Sequence, residues 1–277
     1  MNILLDKCVA RHPAARDHAP PALRGLNLSV THGEHVAIIG PSGAGKTTLL
    51  HLLACALKPD SGSLQLGGRN PWTLARGQLQ HLRGQLFLAP QVPPLPPRQR
   101  TVTAVLAGRL PDESLWASVR SLFYPTDMAL AERALARFDM SDKLFERVDR
   151  LSGGERQRVG LARALASKAT LFLVDEPLSA LDPTRGQQAM ESLTGSARER
   201  GATLVTTMHH VEMALQHFPR IIGLRDGELV FDLPSANVTP QRLRALYDQH
   251  LDELSATTPP PSSEPLTAPA PVVTPCR

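Results

Sequence analysis

The residues of this chain whose types and spacing could do chemistry begin with GPSGAGKTT, Gly40 to Thr48, which fits the pattern Gly-x-x-x-x-Gly-Lys-Thr. Its glycines let the backbone turn successive N–H groups inward. The helix that must follow adds the positive end of its dipole, so the stretch forms an anion site. Lys46 is expected to reach the terminal phosphates of a nucleotide and the Thr47 hydroxyl to hold Mg²⁺, while Pro41, Ser42, Gly43, Ala44, Gly45 and Thr48 complete the wrap. A glycine-rich turn with a stray lysine is the bland alternative. The flanks argue against it: Val36 to Ile39 reads as a buried strand, and Leu49, Leu53, Ala56 and Leu57 recur at helical spacing.

A phosphate loop alone says only that a nucleotide binds. LFLVDEP places Asp175 and Glu176 at the end of a second buried strand, where the open edge of a parallel sheet holds its ligands. Asp175 is positioned to hold Mg²⁺, and Glu176 to polarise the water that attacks the γ-phosphate. The most specific stretch is LSGGERQR, Leu151 to Arg158. Ser152 can cap the helix whose inner face is Val159, Ala162, Leu165 and Ala166, and Gly153 and Gly154 leave its first amides uncovered. This second anion-binding terminus has no second lysine-bearing loop to serve. A head-to-tail dimer resolves the mismatch: Ser152 of one copy closes over the γ-phosphate held by Lys46 of another, with two ATP molecules at the interface.

The elements that must position these groups follow from periodicity. Leu26, Leu28 and Val30 alternate with polar residues, as do Leu64 and Leu66, so antiparallel strands are expected to flank a parallel core. Core strands recur at Leu171 to Val174, Leu204 to Thr206 and Ile221 to Leu224, the last turning through Arg225-Asp226-Gly227 into a hairpin with Glu228 to Phe231. From Thr101 to Arg150 the texture is helical, with a helix started by Asp127. Thr239-Pro240 opens another helix whose Leu243, Leu246, Tyr247, Leu251 and Leu254 share a face. The proline-rich segment after Ser255 is expected to be a disordered tail. The fold class is therefore α/β, with a mainly parallel sheet, an antiparallel β subdomain and a helical insert.

At 277 residues and 42% hydrophobic, the chain can bury a large core. Its apolar runs are too short for a membrane span, and MNILLDKCVARH is unlike a secretory signal, so the expectation is a cytoplasmic protein or one on the cytoplasmic face of a membrane. Cys8, Cys55 and Cys276 are too few and scattered for a disulfide framework or a zinc site. The net charge of +4 is spread along the chain without a basic stripe interleaved with aromatics, so no nucleic-acid partner is expected.

Taken together, these motifs resemble the ATP-binding cassette (ABC) transporter ATPases over roughly Asn2 to Phe231, and LSGGERQR separates the chain from other P-loop NTPases. The resemblance implies that Gln91 in LAPQV touches the metal and attacking water and reports to membrane subunits. It likewise implies that Ser179 to Asp182 lies at the dimer interface and that His209 in TTMHHV contacts the γ-phosphate. On its own, His209 would read as a strand-end histidine. His210 is assigned no role, and a His-His metal site lacks further ligands at suitable spacing. Three departures stand out: His12 occupies the place where the family offers an aromatic ring to adenine, Ala104 replaces an acid, and VPPLPPRQR after Gln91 reads as an unusually stiff loop, or as a polyproline ligand.

The implied organisation is an ABC ATPase domain over residues 1–254, with a helical subdomain at about 92–165, and the tail at 255–277. Within the family, TVTAVLAGRL, Trp116, Phe123, Tyr124, LARFDMSDKLFERVDRLSGG and MHHVEMALQHFPRIIGLRDGELVFD look most like the ATPases of phosphonate importers. The resemblance implies ATP and Mg²⁺ as cofactors, a second copy and integral membrane permease subunits as partners, and indirectly a solute-binding protein. It places the chain peripherally on the cytoplasmic face of the inner membrane. The alternative function is a soluble ABC-type ATPase of repair, translation or carbon-phosphorus metabolism.

Overall fold

The computed structural model describes residues 1–12, 20–113, 116, 118–120 and 127–248. The tail at 255–277, together with Leu251, Leu254, Phe123 and Tyr124, lies outside the described residues. Five strands carry runs buried on both faces or nearly so, and these form the expected parallel core. In chain order the strands are β1 (Ile3–Ala10), β2 (Leu23–Val30), β3 (His35–Ile39), β4 (Ser61–Leu66), β5 (Leu86–Ala89), β6 (Leu171–Asp175), β7 (Thr203–Thr207), β8 (Arg220–Arg225) and β9 (Glu228–Pro234). The larger sheet runs β5-β6-β7-β3-β8-β9 and is parallel except for the β8–β9 hairpin. Register sets Asp175 beside Thr207 and Ile38 beside that same threonine, so the ends of β3, β6 and β7 share one edge.

The smaller sheet is antiparallel in the order β2-β1-β4. Its alternating residues Ile3, Leu5, Leu26, Leu28, Leu64 and Leu66 face one apolar cluster with Ile38, Leu49 and Leu53, which packs the helix Lys46–Leu53 between the two sheets. That helix begins at the lysine of the phosphate loop, so the packing fixes where its first amides point.

Among the described residues the insert carries the helices Thr101–Leu106 and Met128–Ala136, which pack against Gly153–Ala166 through Val102, Val105, Leu135, Phe138, Val159 and Leu161. Asp127 caps as expected, accepting from the Leu130 amide at 3.1 Å. The loop after Gln91 lies on that same helix: a Cβ added to Gly160 would come 2.7 Å from the Pro93 ring, and Arg163 donates to the Pro94 carbonyl at 3.4 Å. The prolines therefore form a fixed strap between the end of β5 and the helix that Ser152 starts.

An ion triad holds β8, β9 and the turn before β3. The Arg220 guanidinium donates to both Asp232 oxygens at 2.6 Å and to Glu34 Oε1 at 2.8 Å. Burial would raise the Glu34 carboxyl, but Arg220 and the Thr31 N–H and hydroxyl outweigh it and hold it below its ordinary value. A depressed folded pKa contributes stability above the unfolded value that is lost as pH falls through the folded one. Arg220→Ala, leaving two half-buried carboxylates unpaired, is expected to cost about 2 kcal/mol at about pH 7. The cost should shrink as pH falls through the depressed Glu34 value, where the wild type loses the same advantage; urea unfolding of both proteins over a neutral-to-acid pH series checks it.

Candidate active site

The phosphate loop depends on two glycines that no other residue could replace in place. At Gly40 (φ 154°) a Cβ would overlap the Leu224 carbonyl oxygen, and at Gly45 (φ 100°) it would overlap that of Ala22. Close approach at these points lets the chain leave β3 and turn at once into the helix Lys46–Leu53, which has no side-chain cap and no acid in its first turn. Its opening amides are thus left to an anion. Lys46 is 5% exposed, with Nζ donating to the carbonyls of Gly40 at 2.7 Å and Pro41 at 3.0 Å, so the ammonium is folded back over the loop.

In front of this loop lies a cavity of about 400 Å³, within the range that holds a small cofactor. It is lined by His12, Ala22, residues 42–48, Glu176 and His209. His12 also stands beside His51, with ring centroids 6.5 Å apart. Of the residues singled out in sequence, Gly40 and Pro41 engage the site through their carbonyls, and Ser42 to Thr48, His12, Glu176 and His209 line it directly.

Glu176 is the point where separate elements meet. It sits just past β6 with φ 45°, a left-handed conformation that is strained for a residue with a Cβ. Its amide is held by the Thr207 hydroxyl at 3.1 Å and carbonyl at 3.2 Å. The carboxylate takes the Gln91 side-chain amide on Oε2 at 2.7 Å and lies 2.5 Å from His209 Nε2 through Oε1. Burial would raise its pKa, yet the His209 contact and the charge of Lys46 outweigh that and keep it below the ordinary carboxylate value. It is therefore an ionised acceptor at neutral pH, fixed in direction from both sides.

Asp175, 6% exposed, accepts the Thr207 hydroxyl at 2.5 Å. Thr207 thus holds the Asp175 carboxylate and the Glu176 backbone amide, a role that sequence reading missed; its one signal is a hydroxyl ending a buried strand beside the Asp175 strand. Among the described residues, no group of three or more His, Cys, Asp or Glu could hold a metal unaided. A hydroxyl at Thr47, a carboxylate at Asp175 and an amide oxygen at Gln91 are all hard oxygen donors, which suits Mg²⁺ arriving with phosphate oxygens.

Ser152, Gly153 and Gly154 are not brought to this cavity. Ser152 forms a full capping box, its Oγ accepting from the Glu155 amide at 3.2 Å while its own amide donates to Glu155 Oε2 at 2.7 Å. Ser152 and Gly153 are exposed, and Gly154 lies against the Ala180 carbonyl, where a Cβ would come within 2.8 Å. The signature turn and the Ser179–Asp182 segment therefore form one surface of the chain.

Comparison with known proteins places this arrangement. A family described as ABC transporter matches residues 23–179, more than half of the chain. The chain belongs to the ABC transporter family. It is an ATPase cassette of that family, and the fold is that of solved cassettes: it superposes on the dimeric structure of MJ0796, a bacterial ABC transporter cassette, with TM-score 0.72 and 28% identity, covering 84% of this chain and 98% of that one. A post-hydrolysis state of the MJ0796 dimer bound to ADP and Pi gives TM-score 0.70 at 27% identity, over the same shares. The phosphonates import ATP-binding protein PhnC of a Polaromonas species is 72% identical over the full length of both chains. The PhnC 2 protein of Albidiferax ferrireducens is 71% identical, again over both full lengths.

Proposed function

We propose that this cassette binds Mg·ATP in the cavity behind Lys46 and uses its hydrolysis to drive import of phosphonate or a related organophosphorus anion through separate membrane subunits. What carries the hydrolytic half is the convergence of Gln91 and His209 on an ionised Glu176 across the cavity from Lys46. The cargo is supported by likeness over the whole length to the two phosphonates import proteins.

In this reading Lys46 and the loop amides clamp the β- and γ-phosphates, while His12 borders the adenine end. Glu176 accepts the proton of the attacking water, His209 meets the γ-phosphate, and Gln91 carries the state of the site to its proline strap. Thr47, Asp175 and Gln91 would hold Mg²⁺, whose charge offsets that building up on the phosphate oxygens. The exposed Ser152 turn is offered to the γ-phosphate of a second copy, so that closure of a head-to-tail dimer completes two sites. Opening after hydrolysis is passed through the Gln91 loop and the helical subdomain at about 92–165 to the permease. No helix of the described residues is long and apolar enough to cross a membrane, which fits a peripheral place on its cytoplasmic face.

The test is reconstitution. Purified with its permease subunits in lipid vesicles, the cassette is expected to raise its ATPase rate at least about fivefold when a phosphonate-loaded solute-binding protein is added, and to accumulate phosphonate inside. Full ATPase activity without membrane partners, and no response to phosphonate in their presence, would instead assign the chain to non-transport work.

A further inference from the structure

The phosphate loop is gripped from a part of the chain that none of its motifs names. Gly40 leaves β3 with its N–H directed at the phenol oxygen of Tyr247, which accepts at 3.1 Å, while its carbonyl accepts from Lys46 Nζ at 2.7 Å. Both bonds act on a glycine, whose torsions no side chain restrains. Tyr247 is 2% exposed and ends the helix Pro240–Leu246, its own amide donating to the Leu243 carbonyl at 3.0 Å. That helix is tied down by Arg225 Nη1, which donates to the Ala245 carbonyl at 2.5 Å. Arg225 follows Leu224, the residue whose carbonyl occupies the space a Cβ on Gly40 would need. The end of β8 therefore lies against the loop and also holds it through the tyrosine.

We propose that Tyr247 is a positioning residue of the nucleotide site. This rests on reading the loop from Gly40 to Thr48 as the nucleotide's. Its phenol oxygen fixes the Gly40 peptide so that the Gly40 carbonyl keeps Lys46 Nζ where the phosphates arrive. Deprived of that acceptor, a buried N–H must find another, and the available movement is rotation of the glycine, which carries its carbonyl away from the lysine. Glu176, Gln91 and His209 are held by their bonds to one another and not by Tyr247, so the defect belongs to ATP capture rather than to the chemical step.

Tyr247→Phe keeps the buried ring and removes one oxygen. It is expected to raise KM for Mg·ATP by about three- to tenfold, with kcat within about twofold of wild type and little change in Tm. A KM within about twofold of wild type overturns the proposal, whatever happens to Tm, because a purely structural tyrosine would move Tm alone. Should the variant lose kcat and Tm together, a second measurement decides. Tyr124 is the other of the two tyrosines, so 3-fluorotyrosine in a Tyr124→Phe background reports from position 247 alone. Its ¹⁹F resonance is expected to shift when Mg·ATP is added, and a resonance that stays put overturns the proposal. Lys46→Ala serves as the reference. If it binds ATP as tightly as wild type, the loop reading fails and this inference goes with it; if it loses ATP while Tyr247→Phe does not, only the tyrosine's role fails.

Discussion

Glu176→Gln is expected to keep ATP and lose turnover by about a hundredfold or more, the usual contribution of a positioned general base. The geometry makes the variant nearly silent except for charge. A glutamine carbonyl can still accept from the Gln91 amide, now 2.7 Å from Glu176 Oε2, and its NH₂ can still face His209. The left-handed backbone at position 176 is no harder for glutamine than for glutamate. What goes is the anion, and with it the basic group held by Gln91 and His209 that takes a proton from water. Because that carboxyl sits below its ordinary value, no acid limb attributable to Glu176 is expected near neutral pH. With hydrolysis stopped and Mg·ATP bound, the closed dimer should accumulate. Phosphate release and light scattering on the same samples check both halves: turnover within about tenfold of wild type removes Glu176 from its role, and a strictly monomeric species removes the shared site.

The parts legible in the sequence were those whose signal is local. The β3, β6 and β7 strands announce themselves as short apolar runs because both faces of their sheet are covered. Ser152 and Glu155 could be read as a cap from their spacing alone, since a capping box closes within one turn. Two strands were not legible. In β1 the alternation is broken where the register shifts around Lys7, which has φ 45°, so the stretch does not scan as a strand. In β5 only four residues pair, against a β6 strand far along the chain, and nothing in LFLA itself says so. The same division runs through the site. The phosphate loop is one contiguous word, whereas the Thr207 bridge to Asp175 and the Tyr247 bond to Gly40 join residues 32 and 207 positions apart, and only the folded chain brings them together. Motif order placed Gln91 near the catalytic end; that its side-chain amide donates to Glu176 is a contact a motif cannot specify.

Lys46→Ala is expected to weaken ATP binding by about two orders of magnitude, and the estimate follows from where the ammonium sits. An ammonium and a phosphate oxygen about 4 Å apart attract by about 4 kcal/mol at an effective dielectric of about 20. Part of that is offset because the Gly40 and Pro41 carbonyls already share the ammonium charge. A net of about 2.7 kcal/mol corresponds to the hundredfold loss. The lysine is buried by the loop before any nucleotide arrives, so its conformational entropy is already spent and little of the attraction is lost to ordering it. The apoprotein should keep its fold at a cost of about 1–3 kcal/mol, since the two buried carbonyls lose the ammonium. Calorimetric titration with Mg·ATP, alongside thermal unfolding of the apo form, separates the two effects. An affinity within about threefold of wild type would remove the reading of the loop from Gly40 to Thr48 as the phosphate clamp. A collapse of apo stability would mean that the lysine serves the loop's shape rather than its ligand.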